Sequence, residues 1–310
     1  MTVVTATMVK ALRDRTGAGM MDCKAALTET QGDMEQAVDW LRKKGLSKAA
    51  KKAERAATDG LIGVVTADAV GAIVEVNSET DFVARNAQFQ DLVRTIASLA
   101  PQAKGDLARL LASPYPGKGV PVEEHVKAMV ATIGENMSVR RTAVASVAEG
   151  VVSDYVHNKV ADGLGRIGVL VALESKGDRS VLAGLGRQLA MHIAAASPAA
   201  VRAEELDPAL VERERAVYIE QAKASGKSPE IAAKMVEGRL RKEFFQQVVL
   251  LQQTFLGAGD DGKATVEQVL KGAEKAAGAP LAIAAFVRYQ LGEGDKGGPD
   301  AAEAAAAGTG

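Results

Sequence analysis

Two glycine-rich stretches in this 310-residue chain approach the spelling of phosphate-binding loops. GAGDDGKAT, residues 257–265, nearly completes the pattern in which backbone amides and a lysine cradle a nucleotide's phosphates. Lys263 is in the right place, but Ala264 stands where a hydroxyl would hold Mg2+. Asp260 and Asp261 put negative charge where a phosphate would lie, and the preceding FFQQVVLLQQTFL continues a helical pattern instead of a buried strand. GLGRIG, Gly163 to Gly168, fits the dinucleotide spelling, which requires a helix N-terminus after the glycines. Here a strand-like run, VLVALES, follows. A nucleotide-binding enzyme built on 257–265 is one alternative function to test, and no cofactor is implied.

Other reactive side chains are sparse. Cys23 is the one cysteine, which excludes an internal disulfide and fits a reducing cytoplasm. With His125, His157 and His192 scattered along the chain, no Cys/His zinc spacing exists. No nucleophile, base and orienting acid assemble by spacing. His192 lies in the apolar run LAMHIAAA, which suits a core histidine. His157 follows a strand-like start, which suits the surface and an interaction.

The most unusual local pattern is ETDFVARN, Glu79 to Asn86. It sits between a strand-like AIVEVN and a helix-like AQFQDLVRTIASLA. Aromatics are 4% of the chain, yet Phe82 is placed beside Asp81 where a turn would take small polar residues. Residue types leave two readings. Phe82 packs inward as a local staple while Asp81 caps the helix, or Phe82 projects for a partner. Thr80 and Asn86 are suited to capping the turn.

The elements that must position these residues indicate an α+β protein of several domains. Its composition, 47% hydrophobic, is enough for real cores. Residues 1–45 read as a module of three short helices, with Asp starts at Asp22 and Asp33 and glycine stops at Gly17, Gly32 and Gly45. Met20 and Met21 fall on the glycine loop GAGMM, as core filler or as a soft contact surface. Residues 46–58 read as a helical linker. Residues 59–150 form a first core subdomain with a hairpin near Asp68 to Gly71, and 151–200 repeat the strand-helix theme. Residues 201–252 read as an antiparallel helical hairpin turning at SGKSP and returning to the core. Its apolar stripe is Ile231, Met235, Leu240, Phe244, Val248 and Leu251. That hairpin suits a strut or a self-pairing surface. Residues 253–294 give a short helix and a returning strand, LAIAAFVRYQLG. The Gly/Ala-rich 295–310 reads as a disordered tail.

Net charge is −1, and acids offset the lysines between Lys43 and Lys52, which argues against direct nucleic-acid binding. No apolar run approaches the ~20 residues of a membrane span, and the N-terminus lacks a signal-peptide pattern. These features predict a soluble cytoplasmic protein.

Several segments, in order, resemble bacterial elongation factor Ts: LRDRTGAGMMDCKAAL, ETDFVARN, IGENMSVRR, IGVLVAL, MHIAAASP and SGKSPEIAAKMVEGRL. The likeness runs from about Thr5 to Gly294. It departs at 101–124 and 155–166, and the GAGDDG stretch and the tail also look individual. The resemblance implies a factor, not an enzyme, that binds elongation factor Tu in its GDP-bound and nucleotide-free states and speeds GDP release. It implies a module like a ubiquitin-associated domain at the N-terminus, two core subdomains, an inserted hairpin and a C-terminal module. It further implies that Met20, Met21 and Lys24 touch the partner's nucleotide-binding domain, with Ile133 and Gly134 near the same domain. His157 would reach the partner's third domain. Thr80, Asp81, Phe82 and Val83 would be associated with dislodging the partner's Mg2+. A plain adaptor, binding without altered nucleotide release, is the remaining alternative.

Overall fold

Helix punctuation is local, and the N-terminal segment obeys it. A computed structural model describes residues 4–224, 229–257 and 263–293. Helix α1 (Ala6–Thr16) begins where the Thr5 hydroxyl accepts from the Met8 amide, and ends on Gly17 in the left-handed region. Helix α2 spans Met20–Glu29, and α3 (Met34–Lys52) begins on an Asp33 cap. Val9, Leu12, Cys23, Ala26, Leu27 and Ala37 form the core among them.

Two details differ from the sequence reading. Helix α2 starts at Met20, not Asp22, so Met20 and Met21 occupy its first turn instead of the glycine loop. Helix α3 passes straight through Gly45 to Lys52. Gly45 serves close approach: a Cβ placed there would lie 3.3 Å from the Ala131 Cβ. The glycine is therefore a contact point between helices and not a stop, and much of the expected linker 46–58 is a continuation of α3.

The α+β class expected from the sequence holds. The chain forms two compact units: residues 1–63, 74–142 and 160–166, and residues 64–73, 143–159 and 167–310. Strands β1 (Asp59–Ala67), β2 (Val70–Ser78), β3 (Met137–Ser146) and β5 (Leu164–Gly165) form a sheet ordered β3-β2-β1-β5. A one-turn helix α4 (Asp81–Ala84) leads into α5 (Ala87–Ala103), whose Phe89, Leu92, Val93, Ile96 and Ala100 are buried. Helices α6 (Leu107–Ala112) and α7 (Val122–Ile133) flank a proline loop closed by pairing of Pro114 with Pro121. The Tyr115 ring lies 3.9 Å from the His125 ring.

In the other unit, β4 (Gly150–His157), β6 (Ile167–Glu174) and β7 (Ala282–Gln290) form an antiparallel sheet ordered β4-β6-β7. The run LAIAAFVRYQLG thus returns to a sheet as its pattern suggested. Helix α8 (Arg179–Ala196) and α12 (Val266–Ala277) share the core of Val169, Val171, Leu173, Leu189, Ile193, Leu270 and Ile283. Helices α9 (Pro208–Ala224) and α10 (Pro229–Arg239) make the hairpin; most of its expected turn, 225–228, lies outside the described residues. A π-helical turn (Leu240–Phe244) and α11 (Phe245–Val248) follow. The buried stripe is Val236, Leu240 and Phe244 against Tyr218 and Ala222, whereas Ile231 is exposed. The expected stripe is therefore rotated at its start, while Leu240 and Phe244 are buried as expected and Val248 packs against them.

Strand β2 is buried along nearly its whole length, including Glu75, which has no exposed surface. Its carboxylate accepts from Arg140 Nη1 at 3.1 Å and from Arg141 Nε at 2.6 Å. Removing one side of a buried pair leaves uncompensated charge. Glu75→Ala is expected to lower unfolding free energy by about 3–5 kcal/mol in urea titration. A loss under about 1 kcal/mol would show that the arginines relax into solvent at little cost.

Burial, with Lys118 adding repulsion, pushes the His125 imidazole down from 6.5 to about 4. The fold therefore prefers neutral His125. Its contribution is fully present above the unfolded value of 6.5 and is lost as pH falls towards about 4. Thermal midpoints measured across that window are expected to fall less steeply for His125→Gln than for the parent. Parallel profiles would rule out His125 as a source of the acid sensitivity.

Candidate functional site

The ETDFVARN segment begins where β2 ends. Thr80 keeps an extended backbone, and α4 turns immediately after it. Val83 and Ala84 are buried and tie the turn to the interior. Phe82 points the other way and is 76% exposed. Of the two readings left by residue types, inward packing is therefore excluded for Phe82; the neighbouring Val83 is the inward anchor. Asp81 caps nothing and pairs with Arg85 at 3.3 Å. The Asn86 side chain caps α5 by accepting from the Gln88 and Phe89 amides. The ring is therefore free to meet a partner, although one exposed apolar side chain is ordinary on a protein surface.

Thr80 does not cap α4 as its residue type suggested. Its hydroxyl makes no bond to the α4 amides. Both its amide, at 3.0 Å, and its hydroxyl, at 2.7 Å, donate to the carboxylate of Glu135. In return, the Glu79 carboxylate accepts from the Asn136 amide at 2.6 Å. The Asn136 side chain donates to the Arg55 carbonyl at 2.7 Å, and Arg55 lies 3.5 Å from Glu79. Lys52 at the end of α3 donates to the Gly134 carbonyl. Ile133 and Gly134 thus sit in a braced turn, with Gly134 at φ +97 ending α7. None of Glu79, Glu135, Asn136 or Arg55 stood out as a site residue in the sequence. The only sign was a carboxylate at each of two strand ends, which spacing cannot pair.

Met20 is 47% and Met21 76% exposed on the first turn of α2, and Lys24 is exposed one turn later. Neither methionine fills the core, so only the soft-surface reading of the pair survives. Gly19, at the N-cap position, offers no capping side chain. Asp22 is instead held below its usual range, mainly by the hydrogen bond from Lys48, with Lys44 beside it. This anchors α2 to α3 beneath the methionines. The Cys23 thiol is buried, and burial pushes its pKa up, which disfavours the thiolate.

His157 ends β4 in the second unit, is exposed, and has Nδ1 3.1 Å from the Tyr155 hydroxyl. His192 is buried, with Nε2 2.9 Å from Gln253 Oε1 and Nδ1 accepting from the Leu256 amide at 3.2 Å. Both ring nitrogens are engaged, and burial depresses its pKa. It is a satisfied core histidine. No group of three or more His, Cys, Asp or Glu among the described residues could hold a metal ion. Residues 258–262 of the near-phosphate loop lie outside the described residues. Thr254 bridges to Thr265, and Thr265 and Gln268 cap α12 reciprocally, occupying amides that a phosphate would need. GLGRIG contributes strand β5, paired to β1, and not a helix start. No helix among the described residues is long and apolar enough to cross a membrane.

Comparison with known proteins matches this arrangement to one family. The family model described as Elongation factor TS matches residues 79–293. Elongation factor Ts of Parvibaculum lavamentivorans is 61% identical over 312 residues, covering all of both chains. Elongation factor Ts of Sinorhizobium medicae is 55% identical, and that of Bartonella henselae 56%, each over 309 residues and 99% of both chains. The resemblance read from LRDRTGAGMMDCKAAL and ETDFVARN is thereby established across the chain, which belongs to the elongation factor Ts family of translation factors.

Proposed function

We propose that this protein is a guanine-nucleotide exchange factor that binds elongation factor Tu and promotes release of its GDP. The observation that carries the reading is the exposed Phe82 ring, on a turn braced so that it stays exposed. Family membership supports the partner. An exchange factor forms and breaks no covalent bond. It stabilises a state of its partner that holds nucleotide poorly, and the coupling is reciprocal. Nucleotide grip in a GTPase depends on Mg2+ and on a phosphate-cradling loop, so a ring entering a side pocket can displace the elements holding that ion.

In this reading Thr80 to Val83 form the Mg2+-disturbing turn, divided by burial. Phe82 is the wedge, Asp81 faces out beside it, Thr80 is the brace point and Val83 is the anchor. Met20, Met21 and Lys24 offer an apolar and cationic surface to the partner's nucleotide-binding domain. Ile133 and Gly134 lie beside the turn and share that contact, while His157 contacts another domain of the partner. The hairpin is the candidate surface for homodimer formation. The protein works in the cytoplasm without cofactor, nucleic acid or membrane.

Magnitudes limit the wedge. Burying one Phe contributes roughly 1.5–3 kcal/mol. At about 1.4 kcal/mol per decade this is about one to two orders of magnitude. The remaining acceleration must come from the wider interface. Phe82→Ala is expected to slow stimulated release of labelled GDP from elongation factor Tu by about 10- to 100-fold, and Asp81→Ala by less. If both folded variants stimulate release like the parent, Phe82 is not the wedge. Binding of elongation factor Tu with unchanged GDP release by the parent chain would favour the adaptor instead.

A further inference from the structure

From the reciprocal bonding of two loops, we infer that Glu79 and Glu135 are positioning residues for exchange, holding Phe82 in its projecting orientation without themselves entering the partner. The inference rests on the exchange reading above and adds to it two residues and a device. Each glutamate belongs to one segment and accepts from the backbone of the other: Glu135 from Thr80, Glu79 from Asn136. Neither segment can shift without breaking a charge-assisted bond. Glu135 engages the Thr80 amide and hydroxyl together, which fixes the peptide plane that starts α4. That plane sets the direction of the Phe82 Cα–Cβ bond two residues on. Val83 pins the turn from the core side.

The brace has a physical task. A free turn would let the Phe82 ring fold down onto the protein and cover its apolar surface. Two carboxylates clasping the strand ends oppose that collapse, so in the bound complex the ring is aimed at the elements it must displace, an orientation effect on the maximal rate. The same clasp ties the turn to Gly134, and Asn136 extends it to the chain just after α3 through the Ala53 and Arg55 carbonyls. The 133–136 turn is therefore linked to Phe82 through Thr80, two residues before it.

The test uses the full chain with Glu135→Ala, Glu135→Gln and Glu79→Gln, read two ways. Hydrogen exchange of the protein alone reports the Thr80 and Asn136 amides. Stimulated release of labelled GDP from elongation factor Tu reports the maximal rate and the half-saturating concentration. Glu135→Ala is expected to speed Thr80 amide exchange by about tenfold or more. The maximal rate is expected to fall by about 5- to 10-fold while the half-saturating concentration changes by less than about twofold. Glu135→Gln, which keeps one acceptor, should lie between Ala and parent in both readouts; it also serves if the Ala variant does not fold. Unchanged amide exchange, or faster exchange with an unchanged maximal rate, overturns the positioning role. A raised half-saturating concentration at an unchanged maximal rate also overturns it, because the glutamates would then be partner contacts. A parent chain that stimulates no release overturns the exchange reading itself, a result distinct from all of these.

Discussion

The first unit depends on one buried carboxylate. Glu75 has lost its water entirely, and the guanidinium groups of Arg140 and Arg141 replace it. Such a pair contributes little net stability, since desolvation offsets most of the attraction, but a shifted strand would leave the charge unmatched. The pair therefore ties β2 to β3 in one alignment. Beyond Glu75 in one strand and before Arg140 in the other, the chain supplies Glu79 and Thr80, and Glu135 and Asn136. Those ends lie side by side because β2 and β3 are neighbours in the sheet, with the ion pair matched across them.

From that constraint the proposed contact surface follows in steps. Held strand ends permit reciprocal glutamate bonds. Those bonds fix the start of α4, and burial of Val83 fixes its inner side. What is left over is an exposed aromatic ring on a braced turn. The turn after α7 belongs to the same network, so two stretches far apart in sequence act as one edge. The methionine pair on α2 is a separate surface, anchored by Asp22 to Lys44 and Lys48. A partner engaging these surfaces meets groups whose geometry is already set, which reduces the ordering that binding would otherwise require.

Locally encoded features were legible in the sequence. Asp33 and Asn86 cap the helices they precede, the hairpin turns at Asp68, and the returning strand near the C-terminus joins a sheet. The identity of the candidate turn was legible too, as a misplaced aromatic and as a family motif. What escaped depends on tertiary contact. Gly45 looked like a stop because a lone glycine usually ends a helix; against Ala131 it is a contact point. The hairpin stripe was misphased only at its start, where Val236 and not Ile231 faces Tyr218 and Ala222, a choice made by the facing helix. Glu135 and Thr80 are 55 residues apart, and no periodicity links them. Residue types alone could not decide which way Phe82 faced, because burial of Val83 next to it settles the matter only in the folded chain.

On the proposed mechanism, Phe82 enters elongation factor Tu beside its nucleotide-holding elements. Replacing Phe82 with a photoreactive phenylalanine analogue keeps an aromatic ring in place and allows the contact to be mapped by mass spectrometry of the cross-linked peptide. Attachment within the nucleotide-binding domain, next to the segments holding Mg2+ and phosphate and diminished by excess GDP, is the predicted result. Efficient stimulation of GDP release with attachment elsewhere, or with no attachment at all, would contradict it.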